Sequence, residues 1–224
     1  MTTDVEGLAR ISRRVAPELA EEEYRRLATL AAQLSPGDWG RSTDCPGWTV
    51  REVLAHVAGA MAGTSFHEGR RQRKVSGQRS KASGRTFLDE MNQLHIEERG
   101  HLTTNAVIQE LEARITPAVR ARQRLPALLR RAPIPNSGHR LTLGDLVDVI
   151  LTRDVWMHRV DVCRAVQRPL HLTADHDGRI VADVVREWAD RHAQPFTMRL
   201  TGAAGGTFVR AGGGPEFELD AVEF

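Results

Sequence analysis

Residues 143–166 read LGDLVDVILTRDVWMHRVDVCRAV, and this stretch decides the class of fold. Its apolar residues recur at helical spacing, so on a wheel of about 100° per residue they fall on one face. Asp154 falls near the middle of that face, His158 on its flank and Asp161 again near the middle. The pattern predicts a long helix with polar residues on its core side, where the apolar residues are Leu143, Leu146, Val147, Ile150 and Met157.

A carboxylate on a core face needs a partner, because burying an unpaired ionised group costs several kcal/mol. Asp154 and His158 are four residues apart, so their side chains lie one above the other on a helix. A carboxylate oxygen and an imidazole nitrogen at this spacing can reach one metal ion at about 2.0–2.2 Å each. The alternative is a hydrogen-bonded core pair without a metal, which is the more common arrangement for two such residues.

A second helix supplies a third ligand candidate. Thr49 and Glu52 have the spacing of a capping box, so a helix is predicted from Val50 to Met61 or beyond. His56 lies at the edge of its apolar stripe and is either a metal ligand or a satisfied core histidine. Together His56, Asp154 and His158 form a set with open coordination positions, as is typical of catalytic sites for zinc or nickel.

The rest of the chain up to residue 194 is also predicted to be mainly helical. Seven positive charges without an acid, together with several Ser and Gly, predict a mobile loop over residues 70–85. Pro117 and Pro126 are expected to disturb a third long helix. The remaining predicted elements are a helical unit over 4–34, a short helix near 86–95, the third long helix from Thr103 or Thr104 to Arg131, a loop over 132–138 and a helix over 174–193.

The basic segment over residues 70–85 bears on possible partners. It is interpreted either as a solvated surface or as an anion-attracting lid. Nucleic-acid binding is disfavoured, because no aromatic residue is interleaved with the charges and no known module is present. The net charge of the whole chain is only +2, so a polyanionic partner is not required.

The character of the chain changes after Pro195. Residues 196–200 alternate as a strand does, residues 202–206 form a turn, and residues 207–210 are interpreted as the next strand. The predicted architecture is mainly α: a four-helix bundle over residues 1–194 and the start of a small β-containing domain over 195–224. The pattern still lies within an element at Phe224, which leaves open whether this unit is complete.

Composition excludes some classes of protein. The sequence contains no run of about 18 apolar residues, so no membrane-spanning helix is predicted. Charged residues interrupt the N-terminal stretch, which therefore does not fit a signal peptide, and a cytoplasmic location is expected. Cys45 and Cys163 form no CxxC pair, so we expect two free thiols. Only Lys74 and Lys81 are lysines among 31 basic residues, which is typical of GC-rich genomes such as those of actinobacteria.

Two stretches resemble the mycothiol-dependent maleylpyruvate isomerase family of the DinB-like superfamily. They are Trp39–Gly59, WGRSTDCPGWTVREVLAHVAG, and Thr152–Ala165, TRDVWMHRVDVCRA. The resemblance implies a DinB-like four-helix bundle with a small C-terminal α+β unit. It also implies that His56, Asp154 and His158 bind a divalent metal, usually zinc. Asp154 departs from the Glu of the best-known members, so the ion must lie closer to this helix or be bound more loosely.

Further candidates surround this set. Trp48 is predicted either to line the mouth of the site or to act as a hydrophobic staple. Asp161 is predicted either to orient a ligand histidine or to pair with a buried arginine. The other histidines lie in predicted loops or on polar faces and are assigned no function: His67, His95, His101, His139, His171, His176 and His192.

Two functions are consistent with these features. The first is a metal-dependent isomerase or S-transferase that uses a low-molecular-weight thiol, mycothiol by resemblance, and acts on a small electrophile. The alternative is a non-enzymatic metal-binding bundle that senses or binds small molecules. Thiol-dependent turnover of an electrophile with added zinc discriminates between them.

Overall fold

The computed structural model describes residues 2–134 and 141–224. Short 3-10 helices at Val5–Gly7 and Asp38–Gly40 and a π-helical segment at Leu146–Ile150 accompany the α-helices. In chain order the α-helices of the described part are α1 (Ala16–Ala32), α2 (Val50–Gly63), α3 (Phe66–Ser83), α4 (Phe87–Glu97), α5 (Thr104–Arg124), α6 (Ala127–Arg130), α7 (Leu143–Asp145), α8 (Leu151–Ala165) and α9 (Asp177–His192).

Four of these helices form a bundle. Helix α1 packs against α5 and α8, and α2 packs against the same two helices. The helices α3 and α4 pack against each other and against α2 on the outside of the bundle. These elements belong to a compact unit, Ala16–Arg168. The predicted mainly α architecture with a four-helix bundle is confirmed.

The bundle core is apolar and comes from the inward faces of all four helices. Its fully buried members include Leu27 of α1, Leu54 and Val57 of α2, Leu111 of α5 and Val162 of α8. Each side chain of this size contributes about 1.5–3 kcal/mol when it is removed from water. One ion pair crosses this interior, where Arg159 Nε donates to Glu23 Oε1 over 2.6 Å.

The helix over residues 143–166 is present, but it is interrupted. The π-helical segment has i→i+5 hydrogen bonds and a wider turn, so residues after it are out of phase with a continuous α-helical wheel. Met157 was predicted on the core face and is 60% exposed, so that part of the prediction was wrong. Val155, Trp156 and Val162 are buried there instead.

Helix α3 corrects the prediction of a mobile loop over residues 70–85. Two of the positive charges pair with acids outside that segment: Arg71 with Glu68 and Glu98, and Arg79 with Glu97 over 2.6 Å. Its buried residues are Gly69, Gln72 and Ser76, which are small or polar. An apolar stripe was therefore not visible in the sequence, although the buried positions do have helical spacing.

The helical unit predicted over 4–34 was wrong in its first part, because a strand and a short 3-10 helix occupy residues 2–7 and α1 begins only at Ala16. The other predicted elements were found with modest changes of boundary. The capping box is present, and Glu52 Oε2 accepts from the Thr49 backbone N–H over 2.6 Å. Pro117 lies inside α5, and the helix ends just before Pro126. Of the predicted loop over 132–138, residues 135–138 lie outside the described residues.

The second compact unit comprises the residues up to Val15 and Pro169–Phe224. It contains β1 (Thr2–Asp4), β2 (Phe196–Thr201), β3 (Gly206–Arg210) and β4 (Glu216–Asp220), in the spatial order β1-β3-β2-β4. Strand β2 is antiparallel to β3 and parallel to β4, while β1 is parallel to β3. Phe196, Met198 and Phe208 supply its buried sheet face, and Ile180 of α9 is buried in the same unit.

This unit differs in extent from the domain predicted over 195–224. Helix α9 and the N-terminal strand belong to it, so the division lies at Arg168 rather than at residue 194. The strand β1 was missed because three residues are too short to show alternation. Within the part of the chain that the structure describes, no helix is both long enough and apolar enough to cross a membrane.

Candidate metal centre

The structure brings the three predicted ligand residues together between α2 and α8. His56, Asp154 and His158 each offer one ligand atom, and these atoms lie within 4.8 Å of one another. His56 Nε2 is 3.6 Å from Asp154 Oδ2, and His158 Nε2 is 3.7 Å from Asp154 Oδ1. Both histidines are buried, whereas the Asp154 side chain is 38% exposed. The site is therefore reached from solvent on the side of Asp154.

These separations fit a metal ion better than direct hydrogen bonds. A nitrogen–oxygen hydrogen bond spans about 2.7–3.2 Å, which is shorter than either distance. Two ligands at about 2.0–2.2 Å from a tetrahedral ion are separated by about 3.3–3.6 Å. Of the two histidine–aspartate separations, 3.6 Å lies at the upper end of that range and 3.7 Å lies just above it. The donor set of two imidazoles and a carboxylate is also one that zinc binds.

The charges of the site favour an ionised Asp154. Burial tends to raise the pKa of this carboxyl, but the nearby imidazole of His56 and the positive charge of His158 lower it below its ordinary value. Burial tends to lower the pKa of His158, but the hydrogen bonds with Asp161 and Cys45 and the charge of Asp154 raise it to about 10. Without an ion, a proton on His158 therefore balances the Asp154 carboxylate.

Asp161 contacts a candidate ligand, as one of its two predicted roles requires. Its Oδ2 atom is 3.2 Å from His158 Nδ1. The Cys45 thiol also contacts this carboxylate, with Sγ 3.3 Å from the same oxygen, and lies 3.9 Å from His158 Nδ1. Because Asp161 occupies the Nδ1 side of the ring, Nε2 is the nitrogen left to face Asp154. The contact of Cys45 was not predicted, because its loop is distant from α8 in sequence.

Trp48 lies against the histidines rather than serving only as a staple. Its ring centroid is 5.2 Å from that of His56 and 6.2 Å from that of His158. The residue is partly buried, and the loop that carries it leads directly into α2. It therefore provides an apolar wall beside the two imidazoles.

His95 of α4 was assigned no function from the sequence, but it is buried directly beside His56. Their Nδ1 atoms are 3.4 Å apart, and His95 Nε2 is 3.2 Å from Gln72 Oε1. Burial is the main cause that lowers the pKa of His95 to about 3, so the ring is neutral. No spacing signal relates His95 to His56, but Gly59 in the quoted motif faces His95 and leaves room for it.

The remaining described histidines are not part of this cluster. His67 and His101 are exposed in the bundle unit, and His171 and His192 are exposed in the second unit, where His176 is buried. His139 lies outside the described residues.

Comparisons with known proteins give a family and a fold. The family model of the mycothiol maleylpyruvate isomerase N-terminal domain matches residues 20–163. Crystal structures of the mycothiol-dependent maleylpyruvate isomerase and of a mutant of it are similar over 98% of this chain and 88% of theirs, each with a TM-score of 0.59. Sequence identity is 15% and 14%, respectively, so this likeness shows the fold. No curated protein sequence matches the chain.

Proposed function

The chain belongs to the mycothiol maleylpyruvate isomerase N-terminal domain family, and from this premise we propose that it is a thiol-dependent isomerase or S-transferase. His56, Asp154 and His158 hold its divalent metal, with zinc the preferred ion for this donor set. The thiol cofactor is mycothiol, and the substrate is a small electrophile of the maleylpyruvate type. The proposal assigns the chemistry to the bundle unit, Ala16–Arg168, which contains all three residues.

The observation that supports this proposal most directly is the spacing of the three donors. Two histidine nitrogens lie at 3.6 and 3.7 Å from the two oxygens of one carboxylate, which suits ligands of a shared ion. A site with three protein ligands keeps a coordination position open, as catalytic zinc sites do. When bound, such an ion lowers the pKa of a thiol ligand and holds it as the nucleophilic thiolate.

The surrounding residues have separate tasks in this proposal. Asp161 accepts from His158 Nδ1 and fixes which nitrogen of that ring faces the site. Asp154 remains ionised and supplies negative charge without having to act as the general base. Trp48 shields the two imidazoles on one side, so that ligands enter past the half-exposed Asp154.

Thiol-dependent turnover tests the proposal. Zinc-loaded protein should convert maleylpyruvate with mycothiol present and should be inactive without a thiol. Binding of mycothiol should release a proton, so the affinity of the protein for mycothiol, measured by calorimetry, should rise with pH. His56→Ala should lose both zinc and activity. The matched control is His67→Ala, which removes an exposed histidine outside the site and should behave as the wild type.

Two outcomes would contradict the proposal in different ways. Equal mycothiol binding by wild type and His56→Ala would mean that the thiol does not use this metal. Binding of zinc and thiol without turnover of any electrophile would favour the non-enzymatic alternative, a metal-binding bundle that senses or binds small molecules.

A further inference from the structure

A chain of hydrogen bonds runs from α3 through α4 to His56, on the side of that ring away from Asp154. We propose that His95 and Gln72 are positioning residues that fix His56 as the tautomer whose bare Nε2 faces Asp154. The inference rests on the proposed role of His56 as a metal ligand. It adds two residues to the site that act through His56.

Gln72, which is 2% exposed, determines which atoms donate and which accept in this series of hydrogen bonds. Its Nε2 atom is 3.1 Å from the Gly59 carbonyl oxygen and 3.1 Å from Glu68 Oε1. A carbonyl oxygen only accepts hydrogen bonds, and so does an ionised carboxylate. Arg71 keeps Glu68 ionised, because its hydrogen bond lowers the pKa of that carboxyl. The amide nitrogen of Gln72 must therefore point to these two acceptors, which turns Oε1 towards His95.

The same assignment of donors and acceptors determines the tautomers of His95 and His56. Gln72 Oε1 carries no hydrogen, so His95 Nε2, 3.2 Å away, must donate to it. His95 is buried, and its two ring nitrogens face Gln72 and His56 rather than an acid, so the ring carries a single N–H and its Nδ1 is an acceptor. His56 Nδ1, 3.4 Å from that atom, is then the donor of their hydrogen bond. His56 Nε2 is left without a hydrogen and presents its lone pair towards Asp154 Oδ2, at 3.6 Å.

The bundle leaves room for this chain at two glycines of α2. A Cβ atom at Gly59 would lie 2.4 Å from the Cβ of His95, and one at Gly63 would lie 2.3 Å from Gln72 Oε1. Contacts this short do not occur between unbonded atoms, so a larger residue at either position would displace its polar neighbour. Helix α2 thus carries a candidate ligand at His56 and the space for its partners one and two turns later.

The expected effect is on metal affinity, because a correctly oriented ligand tautomer needs no rearrangement before it binds. Loss of an orienting partner of a ligand histidine typically weakens metal binding by about 10–100-fold. If His95 and Gln72 had only a structural role, replacing them would change the unfolding equilibrium but would leave the tautomer of His56 unchanged.

The test combines NMR with zinc titration of His95→Leu, Gln72→Leu and the double variant. In metal-free wild type, nitrogen shifts of labelled histidine should show His56 protonated at Nδ1 and bare at Nε2. Both single variants should lose this fixed tautomer and bind zinc about 10–100-fold more weakly. Because Gln72 acts through His95, the double variant should bind zinc no more weakly than His95→Leu.

The matched control is Ser76→Ala, which removes another contact between α3 and α4, the hydrogen bond to Met91, without touching the chain. It should retain the tautomer and the zinc affinity of wild type. The inference is overturned if wild-type His56 carries its proton on Nε2, or if the zinc affinity of His95→Leu stays within about twofold of the control. If wild type binds no zinc while the tautomer is as expected, the proposed function fails and the hydrogen-bond assignment stands.

Discussion

Among single residues, Asp154 is the one on which the candidate site depends most. It lies between two histidine nitrogens and supplies the negative charge that a divalent ion requires. Its side chain is 38% exposed, so it is not a core carboxylate as the helical wheel suggested. The partial exposure places the carboxylate at the entrance of the site.

Replacing this carboxylate should separate metal binding from folding. Asp154→Ala should weaken zinc binding by more than about 100-fold, because a lost ligand should cost more than a lost partner of a ligand. The free energy of unfolding of the metal-free protein should change by only about 0.5 kcal/mol, as expected for a partly exposed position. Chelator competition measures the affinity, and urea unfolding in the presence of chelator measures the stability.

Two further variants give this prediction its controls. Asp154→Glu should retain zinc, because the family resemblance places a glutamate at this position. Asp44→Ala removes an exposed acid that pairs with Arg164 and should leave zinc affinity unchanged. Wild-type zinc affinity in Asp154→Ala would show that the carboxylate is not a ligand.

The three candidate ligands could be identified from the sequence, but the residues that contact them could not. His56, Asp154 and His158 were found from helical spacing and two motifs, which are local features. His95 and Gln72 reach the site from α4 and α3, and no local pattern connects them with it. Their proximity arises from the packing of α3 and α4 on α2, which neither spacing nor composition encodes.

Among the secondary-structure elements, α3 shows why part of the fold could not be predicted. Helices α2, α4 and α5 have an N-cap signal and an apolar periodicity. Helices α2 and α4 were predicted close to their observed bounds, and α5 begins as predicted but ends earlier, at Arg124. Helix α3 buries Gly69, Gln72 and Ser76 and pairs some of its charges with acids beyond the segment, such as Glu98. A helix stabilised mainly by such contacts has no apolar stripe, so charge and glycine content were misleading.

The end of α4 is anchored to α5 by an ion pair that should be sensitive to acid. Arg99 makes two hydrogen bonds to Glu110, at 2.8 and 2.9 Å, and also donates to the His95 carbonyl oxygen at 3.1 Å. Burial tends to raise the pKa of Glu110, but the hydrogen bonds from Arg99 and Arg114 hold it below its ordinary value. The pair therefore stabilises the fold while this carboxyl is ionised.

Glu110→Gln should lower the free energy of unfolding at pH 7 by about 1.5–3 kcal/mol, the usual contribution of hydrogen bonds to charged groups. A carboxyl with a depressed pKa contributes stability that is complete above its unfolded pKa of about 4.3 and is lost as the pH falls through the folded value. The difference in the free energy of unfolding between wild type and variant should therefore disappear at acidic pH. Urea unfolding at pH 7 and at a series of pH values below 5 measures it.

The control for this prediction is Glu112→Gln on the exposed face of the same helix, which should unfold as the wild type does. If the difference in free energy of unfolding between wild type and Glu110→Gln stays constant or grows as the pH falls, the charge of Glu110 does not stabilise the packing of α4 against α5.

In the whole molecule, the candidate site is contained within one of the two compact units. His56, Asp154 and His158, together with their partners His95 and Asp161, all belong to the unit Ala16–Arg168. That unit has its own apolar core, of which Leu27, Leu54 and Leu111 are members. A unit with its own core and all three candidate ligands is expected to fold independently and, if the proposed site is correct, to bind a divalent ion without the second unit.

Zinc should therefore stabilise this unit and the full chain equally. An ion that binds only the folded state, at a free concentration 100 times its Kd, adds about 2.7 kcal/mol to the free energy of unfolding. For chains of about 150–250 residues this corresponds to a rise in Tm of about 5–10 °C. Expressed alone, residues 16–168 should show a helical circular dichroism spectrum and the same zinc-dependent gain in unfolding free energy as the full chain. In both proteins His56→Ala should abolish that gain and His67→Ala should preserve it. A gain seen in the full chain but not in a folded 16–168 segment would mean that residues of the second unit complete the site, and the three-ligand assignment would have to be revised.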